Sequence, residues 1–495
     1  MVSITGMAKK QTSDTKLTIE VRKLSNQIYG YSVLKDSVLE RAIEYFHNVD
    51  CLHERREKIT SELITLNKET SNKPANKVAT HKGKITQLER DLQTEVNNLD
   101  LERKERVNHL SLLCYDIIGL CDGLTCTDSN RKSAQILAII QLLSPTEGKK
   151  IAASNEQNKP FYKAILCLRL LDRLCLNNVI SDPYIKERMK DISAEQYHDF
   201  STLNPDGYQR FIDEVKVPLL MAALLQDMGN HHPEAQLLLN GKDGQQDPHR
   251  MLDIEDRKSL LQVNFRETVR YLAEGIGAQI YTGNCKVERE IFNKAEHSKL
   301  SFVKRLIKSA INPKKNIGNL LKVPQIYTSI IMSTKPNYNY KLLPKVYQVL
   351  NKNAERGNCS QMVVDALHTL TGDFPLGYGV VYIPNDSDGR ALNRYEYAIV
   401  NRLYPEELQA PNCRIASRNM SFINHGQDIS ITRACNLYFP ETSKKLASIS
   451  KERLNEILEL LSSNYEERQK LDLLPRCWHP TDYYSTKPHQ NLWSK

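Results

Sequence analysis

An apolar run, Val217-Pro-Leu-Leu-Met-Ala-Ala-Leu-Leu225, ends in two adjacent polar residues, Gln226 and Asp227, and Gly229 closes the segment. Polar groups at the end of a buried helix need partners, so this is where a site is expected first. His231 and His232 follow at once, and neutral imidazoles are common metal ligands. Pro233 and Glu234 behind them suit a helix start, which favours a capping loop over a ligand pair. Two other pairings carry less. His198-Asp199 follows Glu195-Gln-Tyr rather than a buried apolar run, and Cys477-Trp-His479 has no further ligands nearby. Between Lys294 and Lys322 lie Lys299, Lys304, Arg305, Lys308, Lys314 and Lys315 against the single acid Glu296, with Lys335 beyond. That excess reads as an anion site or as a solvated helix face.

Three further stretches belong with these. Val323-Pro-Gln-Ile-Tyr-Thr-Ser-Ile-Ile331, followed by Ser333-Thr-Lys-Pro336, is similar to the Ala-Asp-x-Tyr-x-Ala-Leu and Ser-x-Arg-Pro segments of HD-GYP cyclic di-GMP phosphodiesterases, members of the HD superfamily. Ala366-Leu-His-Thr-Leu-Thr-Gly-Asp-Phe-Pro-Leu-Gly-Tyr-Gly-Val380 looks like that family's exit motif, a helix ending in Gly-x-Tyr-Pro-x-Gly-x-x-Val. Tyr397-Ala-Ile-Val400, and Pro411 before Arg414, resemble its small β extension. The likeness runs roughly from Asp206 to Asn419 and implies an HD-type helical bundle.

On the resemblance, the family's His-Asp pair falls on Gln226 and Asp227, its next histidine on Asn264, its His-His pair on Glu296 and His297, and its metal-binding aspartate on Gln325. Nothing around Lys304 to Leu306 resembles the Gly-Tyr-Pro signature. A di-iron or tri-iron centre needs carboxylates and neutral imidazoles to offset its charge, and amides are poor ligands for it. Asp227, Glu296 and His297 are too few for a bimetallic hydrolytic site, so no metal-bound hydroxide is expected. The resemblance therefore implies a catalytically degenerate, bacterial signalling protein without a cofactor. It would bind a cyclic dinucleotide or a signalling protein partner, with Lys299, Lys304, Arg305, Lys308 and Lys335 as the anion-binding set. One alternative is a divergent cyclic di-GMP phosphodiesterase holding iron or manganese through Asp227, Glu296, His297 and His231 or His232. The other is a coiled-coil scaffold with no nucleotide ligand.

The elements around these residues are mainly helical. Val38, Ala42, Tyr45, Val49, Leu52, Ile59, Leu63 and Leu66 follow alternating steps of four and three, interrupted where Arg56 takes the seam. Asn72 to Ala79, with Pro74, breaks that helix, and Ile85, Leu88, Leu92 and Leu99 line a second one. The pair reads as an internal hairpin or as the seam of a homodimer. Ile136 to Leu143 and Ile165 to Leu174 read as core helices of a bundle, with Ser144 to Pro160 as a polar loop between them. After Gly372, Val380 to Ile383, Tyr397 to Leu403, Ile415 and Ile429 to Ile431 read as short strands, and an amphipathic helix is expected over about Ser443 to Leu471. The expected intervals are 1–109, a helical hairpin or coiled coil; 110–204, a linking bundle; 205–371, the HD-GYP-like helical domain; 372–440, a small β extension; and 441–495, a helix and tail.

Composition sets the outer limits. The chain has 495 residues, 40% of them hydrophobic and 26% charged, the balance of a globular protein. No stretch approaches the roughly 20 uninterrupted apolar residues a membrane span needs. Met1 to Leu17 holds Lys9, Lys10 and Lys16 without an apolar core, unlike a secretory signal, so a cytoplasmic location is expected. Eleven scattered cysteines with no CxxC pair, and Cys114, Cys121 and Cys126 at a spacing unlike common zinc patterns, read as buried apolar residues in a reducing compartment. A net charge of +9 over this length permits an anionic ligand but lacks the concentrated stripe of a nucleic-acid binder.

Overall fold

The computed structural model describes residues 14–71, 75–313, 316–446, 449–461 and 473–493, with backbone alone for 71 and 75–80. Lys314 and Lys315, positions 72–74 of the expected breaker and positions 447–448 and 462–471 of the expected last helix lie outside the described residues. Ala75 to Ala79 of that breaker are helical instead, and the last helix starts at Lys451 rather than near Ser443. The chain is mainly helical, with a small sheet near its C-terminal end. Helix α1 (Lys16–Tyr29) starts at Thr15, whose hydroxyl caps the Thr18 N–H. Helices α2 (Val38–Ser71) and α3 (Ala75–Cys121) follow. The first turns of α2 are buried in the body through Val38, Leu39, Ala42, Phe46 and Val49. Beyond Cys51 the helix is covered only along one line. Leu52, Arg56, Ile59, Leu63 and Leu66 are half-buried against the Ile85, Leu88, Leu92 and Leu99 side of α3. Arg55 Nη1 reaches Glu95 across the seam at 2.9 Å. The heptad thus closes within one chain, as an antiparallel hairpin standing out from the body.

Helix α4 (Cys126–Leu143) turns into α5 (Ile151–Leu176), which runs through the centre of the molecule. Here the expected loop from Ser144 to Pro160 is corrected, since α5 begins at Ile151 and carries Pro160 inside it. Its polar residues are there for tertiary partners rather than for solvent. Asn155 Nδ2 donates to Ser333 O at 2.8 Å, and Asn158 links Ser25 (2.6 Å) to Ser144 (3.0 Å). Short helices α6 (Pro183–Arg188), α7 (Phe200–Leu203) and α8 (Pro205–Phe211) lead through a π-helical turn, Ile212–Lys216, into α9 (Val217–Leu225). Apolar all round, α9 is buried against α5 and α3, as such a sequence requires. His232 then caps α10 (Pro233–Asn240), accepting the Glu234 N–H at 3.2 Å.

The remaining helices are α11 (Ile254–Arg270), α12 (Lys286–Ser309), α13 (Asn319–Ile331), α14 (Val346–Glu355) and α15 (Gln361–Thr371). An antiparallel sheet then forms in the order β1 (Gly379–Tyr382), β2 (Glu396–Val400), β3 (Asn412–Ile415) and, after the two-residue ribbon β4 (Ser417–Arg418) and β5 (Ser421–Phe422), β6 (Asp428–Ser430). The register pairs Val380 with Ala398, Ala398 with Ile415, and Cys413 with Ile429. Helices α16 (Pro440–Ser443), α17 (Lys451–Leu461) and α18 (Thr481–Tyr484) complete the order. The C-terminal segment packs on the sheet. Trp478 stacks on Tyr397 at 4.7 Å and donates to Ala398 O at 2.8 Å. It also reaches the start of the chain, where the Thr15 N–H donates to Gln490 Oε1 at 2.8 Å. One apolar core runs from Val21 to Leu492, with residues from all five expected intervals in it. Among the described residues no single helix is long and apolar enough to cross a membrane.

Candidate functional site

Four side chains close a polar ring where α5, α9 and α13 meet. Lys163, deep in α5, donates from Nζ to Asp227 Oδ2 at 2.8 Å and to Gln226 Oε1 at 3.2 Å. Gln226 donates to Gln325 Oε1 at 3.1 Å, and Gln325 donates to Asp227 Oδ1 at 3.0 Å. Each amide both gives and takes, and both carboxylate oxygens of Asp227 are engaged. Burial pushes the Asp227 carboxyl up, but the Lys163 ammonium, Lys159 and the Gln325 amide together hold it below its ordinary value. Lys159, one turn earlier on α5, is held down by its own burial, with Asp227 pulling the other way.

Close packing fixes the end of α9. A side chain at Gly229 would bring a Cβ within 2.1 Å of Asn264 O, so only glycine lets α11 lie this near. The Gly229 N–H donates to Thr268 Oγ1 at 2.9 Å, and that hydroxyl reaches Asn264 Oδ1 at 3.3 Å. Beyond it, His231 Nε2 meets the Tyr29 hydroxyl of α1. Burial lowers the imidazole to about 4, with Asp227 opposing the shift.

Gln226, Asp227 and Gln325 of the ring form the floor of a cavity of about 480 Å³, with Lys163 buried behind them. Gln226, Asp227, Asn264 and Gln325 face it with Phe265, Leu261 and Ile307, while Arg257, Lys258 and Lys322 supply positive charge. Burial depresses Lys322, and Asp227 offsets part of that effect. An apolar wall, amides that donate or accept, and cations in excess suit an anion with a flat or apolar body.

Of the six positions that the resemblance assigned to a metal site, the structure brings together Gln226, Asp227, Asn264 and Gln325. It does not bring in Glu296 and His297. They precede Ile307 on α12 by three turns, about 16 Å at 1.5 Å per residue. Glu296 is buried and takes Lys299 Nζ at 2.8 Å, while His297 is exposed and turned back on Asn293 O. The basic set is also displaced. Helix α12 turns Phe302, Val303, Leu306 and Ile307 inward, which leaves Lys304 half-buried and Lys308 exposed, away from the cavity. Arg305 pairs with Asp182 at 3.1 Å, and Lys335 donates to Arg250 O at 2.9 Å. Sequence reading missed Lys163, Arg257 and Lys258. For Lys163 a signal was present, since a lone lysine sits inside Phe161-Tyr-Lys-Ala-Ile-Leu-Cys-Leu168.

These residues do not fit a metal. An ammonium already sits 2.8 Å from the one carboxylate, and the other polar groups that line the cavity are amides and cations. Among the described residues no three His, Cys, Asp or Glu side chains converge in ligand fashion.

A second charged cluster, also missed, lies two turns along α5. Arg169 Nη2 reaches Asp122 at 2.5 Å and Asp172 at 2.9 Å, and Lys216 Nζ reaches the same carboxylates at 2.6 and 3.4 Å. Tyr208 donates to Asp122 at 2.9 Å and Tyr197 to Asp172 at 2.8 Å. Burial raises the Asp122 carboxyl, but Lys216 and Arg169 more than offset it and hold it ionised. Two cations and two anions balance here. Compared with protein-family models, with curated proteins and with solved structures, the chain matches none.

Proposed function

We propose that the chain is a non-catalytic, HD-GYP-like signalling protein whose α9–α11–α13 pocket binds an anionic nucleotide, of the cyclic dinucleotide class, without hydrolysing it. The observation that carries this reading is the Lys163 ammonium, which occupies with its own positive charge the place beside Asp227 where a hydrolase would hold metal. With no metal to polarise the phosphate or generate hydroxide, the site binds and does not turn over. Arg257, Lys258 and Lys322 replace the set expected from sequence as the anion contacts, and Phe265 and Leu261 offer the apolar wall for a base. Side-by-side pairing of two α2–α3 hairpins, a cytoplasmic location and a signalling partner reached through the hairpin belong to the same proposal.

Metal analysis of the purified protein together with a calorimetric titration of cyclic di-GMP at low salt tests it. Substoichiometric iron and manganese, with salt-sensitive binding that weakens in Lys322→Gln, is the expected result. Two tightly bound metals per chain would restore the phosphodiesterase alternative. Absence of heat with any cyclic dinucleotide would leave the scaffold alternative. Gln226→His alone should produce no hydrolysis, because Asn264 and Gln325 remain amides.

A further inference from the structure

The C-terminal end of α5 opens on a different cavity, of about 530 Å³, which shares no lining residue with the pocket above. It lies between α4, α5 and the strand-end loop after β2, and Trp493 closes one side. Arg173 stands in its wall. Its guanidinium makes no ion pair or hydrogen bond among the described residues, its Nε is buried without a partner, and its Cζ lies 5.5 Å from the Tyr404 ring centroid. Arg131 and Arg402 stand at the rim, 65% and 60% exposed, the first paired with Asp128 at 3.3 Å and the second with Asp428. Asp428 is the one carboxylate in the lining, and it already serves Arg402 and, at 2.9 Å, Arg414. Of the three arginines in the lining, Arg173 is therefore the one without a carboxylate partner among the described residues, and the other two are exposed at the rim.

Two further observations point to a ligand. Asn401 is fully buried at the cavity wall, and its Oδ1 has no hydrogen-bond partner, although its Nδ2 is satisfied by Asp428 (2.9 Å) and Leu492 O (3.1 Å). A buried acceptor left open costs about 1–3 kcal/mol unless a donor reaches it. Tyr404 holds a φ of +55°, a left-handed backbone that is costly for an aromatic residue, and its N–H is pinned to Leu370 O at 2.8 Å. That conformation places the ring under Arg173. Burial lifts the Tyr404 phenol to about 12, so it stays a neutral donor.

We propose that this cavity is a second ligand site, for a purine mononucleotide, with the phosphate on Arg173 and Arg131 and the ring against the aromatic wall of Tyr404 and Trp493. Arginine forks match a phosphate dianion in geometry and charge. The proposal does not depend on the pocket at Asp227.

The chain contains two tryptophans, Trp478 and Trp493, and Trp493 lines this cavity. Titrating the full chain with adenosine 5′-monophosphate should give a saturable fluorescence change that Trp493→Phe abolishes, with calorimetric heat that persists in that variant. Arg173→Gln should weaken binding about tenfold, the size of a lost charge-assisted hydrogen bond, and Arg173→Lys should recover part of it. Trp493→Ala, read by calorimetry, should weaken the nucleotide but not inorganic phosphate, which separates ring recognition from any loss of folding at Arg173. Lys322→Gln, which weakens binding in the first pocket, should leave the Trp493 fluorescence titration as in wild type. Equal affinity in Arg173→Gln and wild type would overturn the proposal, as would the absence of saturable heat with both the nucleotide and inorganic phosphate. Binding lost in Lys322→Gln but kept in Arg173→Gln would do the same, by assigning the anion to the first pocket.

Discussion

Helix α5 carries buried charge at its middle and again toward its C-terminal end, and the two places treat it differently. At Arg169 and Asp172 the charges are balanced, two cations to two anions, with tyrosine hydroxyls filling remaining acceptor sites. At Lys163 one carboxylate faces Lys163 and Lys159, two amides complete the ring, and the group opens on a cavity with further cations. The first arrangement balances in charge, although Nε and Nη1 of Arg169 stay buried without a hydrogen-bond partner. Beside the second, Arg257, Lys258 and Lys322 line a cavity in which Asp227 is the one carboxylate, and an anion there would meet their charge. Buried charge is thus no indicator of function by itself; an unbalanced sum beside a cavity is.

The comparison can be broken most forcefully at the balanced cluster. Arg169→Met leaves Asp122 and Asp172 with Lys216 alone, and about 3–5 kcal/mol of stability should be lost in denaturant unfolding. A loss below about 1 kcal/mol would put the cluster on a par with surface pairs and remove the contrast. Acid sharpens it from the other side. His231 titrates near 6.5 unfolded but only at about 4 in the fold, so the unfolded state takes up the proton first and acidification through that window costs stability. The cost approaches about 3 kcal/mol at about 1.4 per pH unit, and Tm measured from pH 7 to pH 4 should fall much less in His231→Phe. Asp122, whose carboxyl Lys216 and Arg169 hold below its ordinary value, adds its own loss only as the pH falls below about 5, where the unfolded carboxyl begins to protonate.

At the ring itself, Lys163→Met should cost about 2 kcal/mol, because water from the cavity reaches Asp227 once the ammonium is gone. Adding Asp227→Asn should recover part of that, whereas strictly additive losses would show that the two side chains are not coupled. The smallest effect belongs to Lys322→Gln. Stability should stay within about 0.5 kcal/mol of wild type while affinity for cyclic di-GMP drops about tenfold, a split that only a ligand contact produces.

Much of the frame was legible in the residues. The step of four and three from Val38 to Leu66 located the hairpin seam, including the half-buried Arg56. The polar pair at the end of the apolar α9 run marked the floor of the pocket, and the short apolar runs after Gly372 marked the strands β1, β2, β3 and β6. Less legible was the stretch from Ser144 to Pro160, because asparagines that serve distant backbone groups look, in sequence, like asparagines that face water. The lysines of α12 misled for a related reason. Their number is visible in sequence, but which way the helix turns them depends on Phe302, Leu306 and Ile307 packing inward.

Periodicity and composition act over a few residues, so the sequence by itself determined where helices and strands form, which faces are apolar, and that amides stand at Gln226, Asn264 and Gln325. What fills the centre of the site was decided by the tertiary structure. Lys163 meets Asp227 across 64 residues and Gln325 meets it across 98, and no local pattern encodes either encounter. The same holds for Arg173 and Tyr404, which lie far apart in the chain until the sheet packs against the end of α5. A charge inside an apolar helix must find a partner, but the partner is chosen by the packing of other helices, and that choice separates a closed ion cluster from a site that still has room for a ligand.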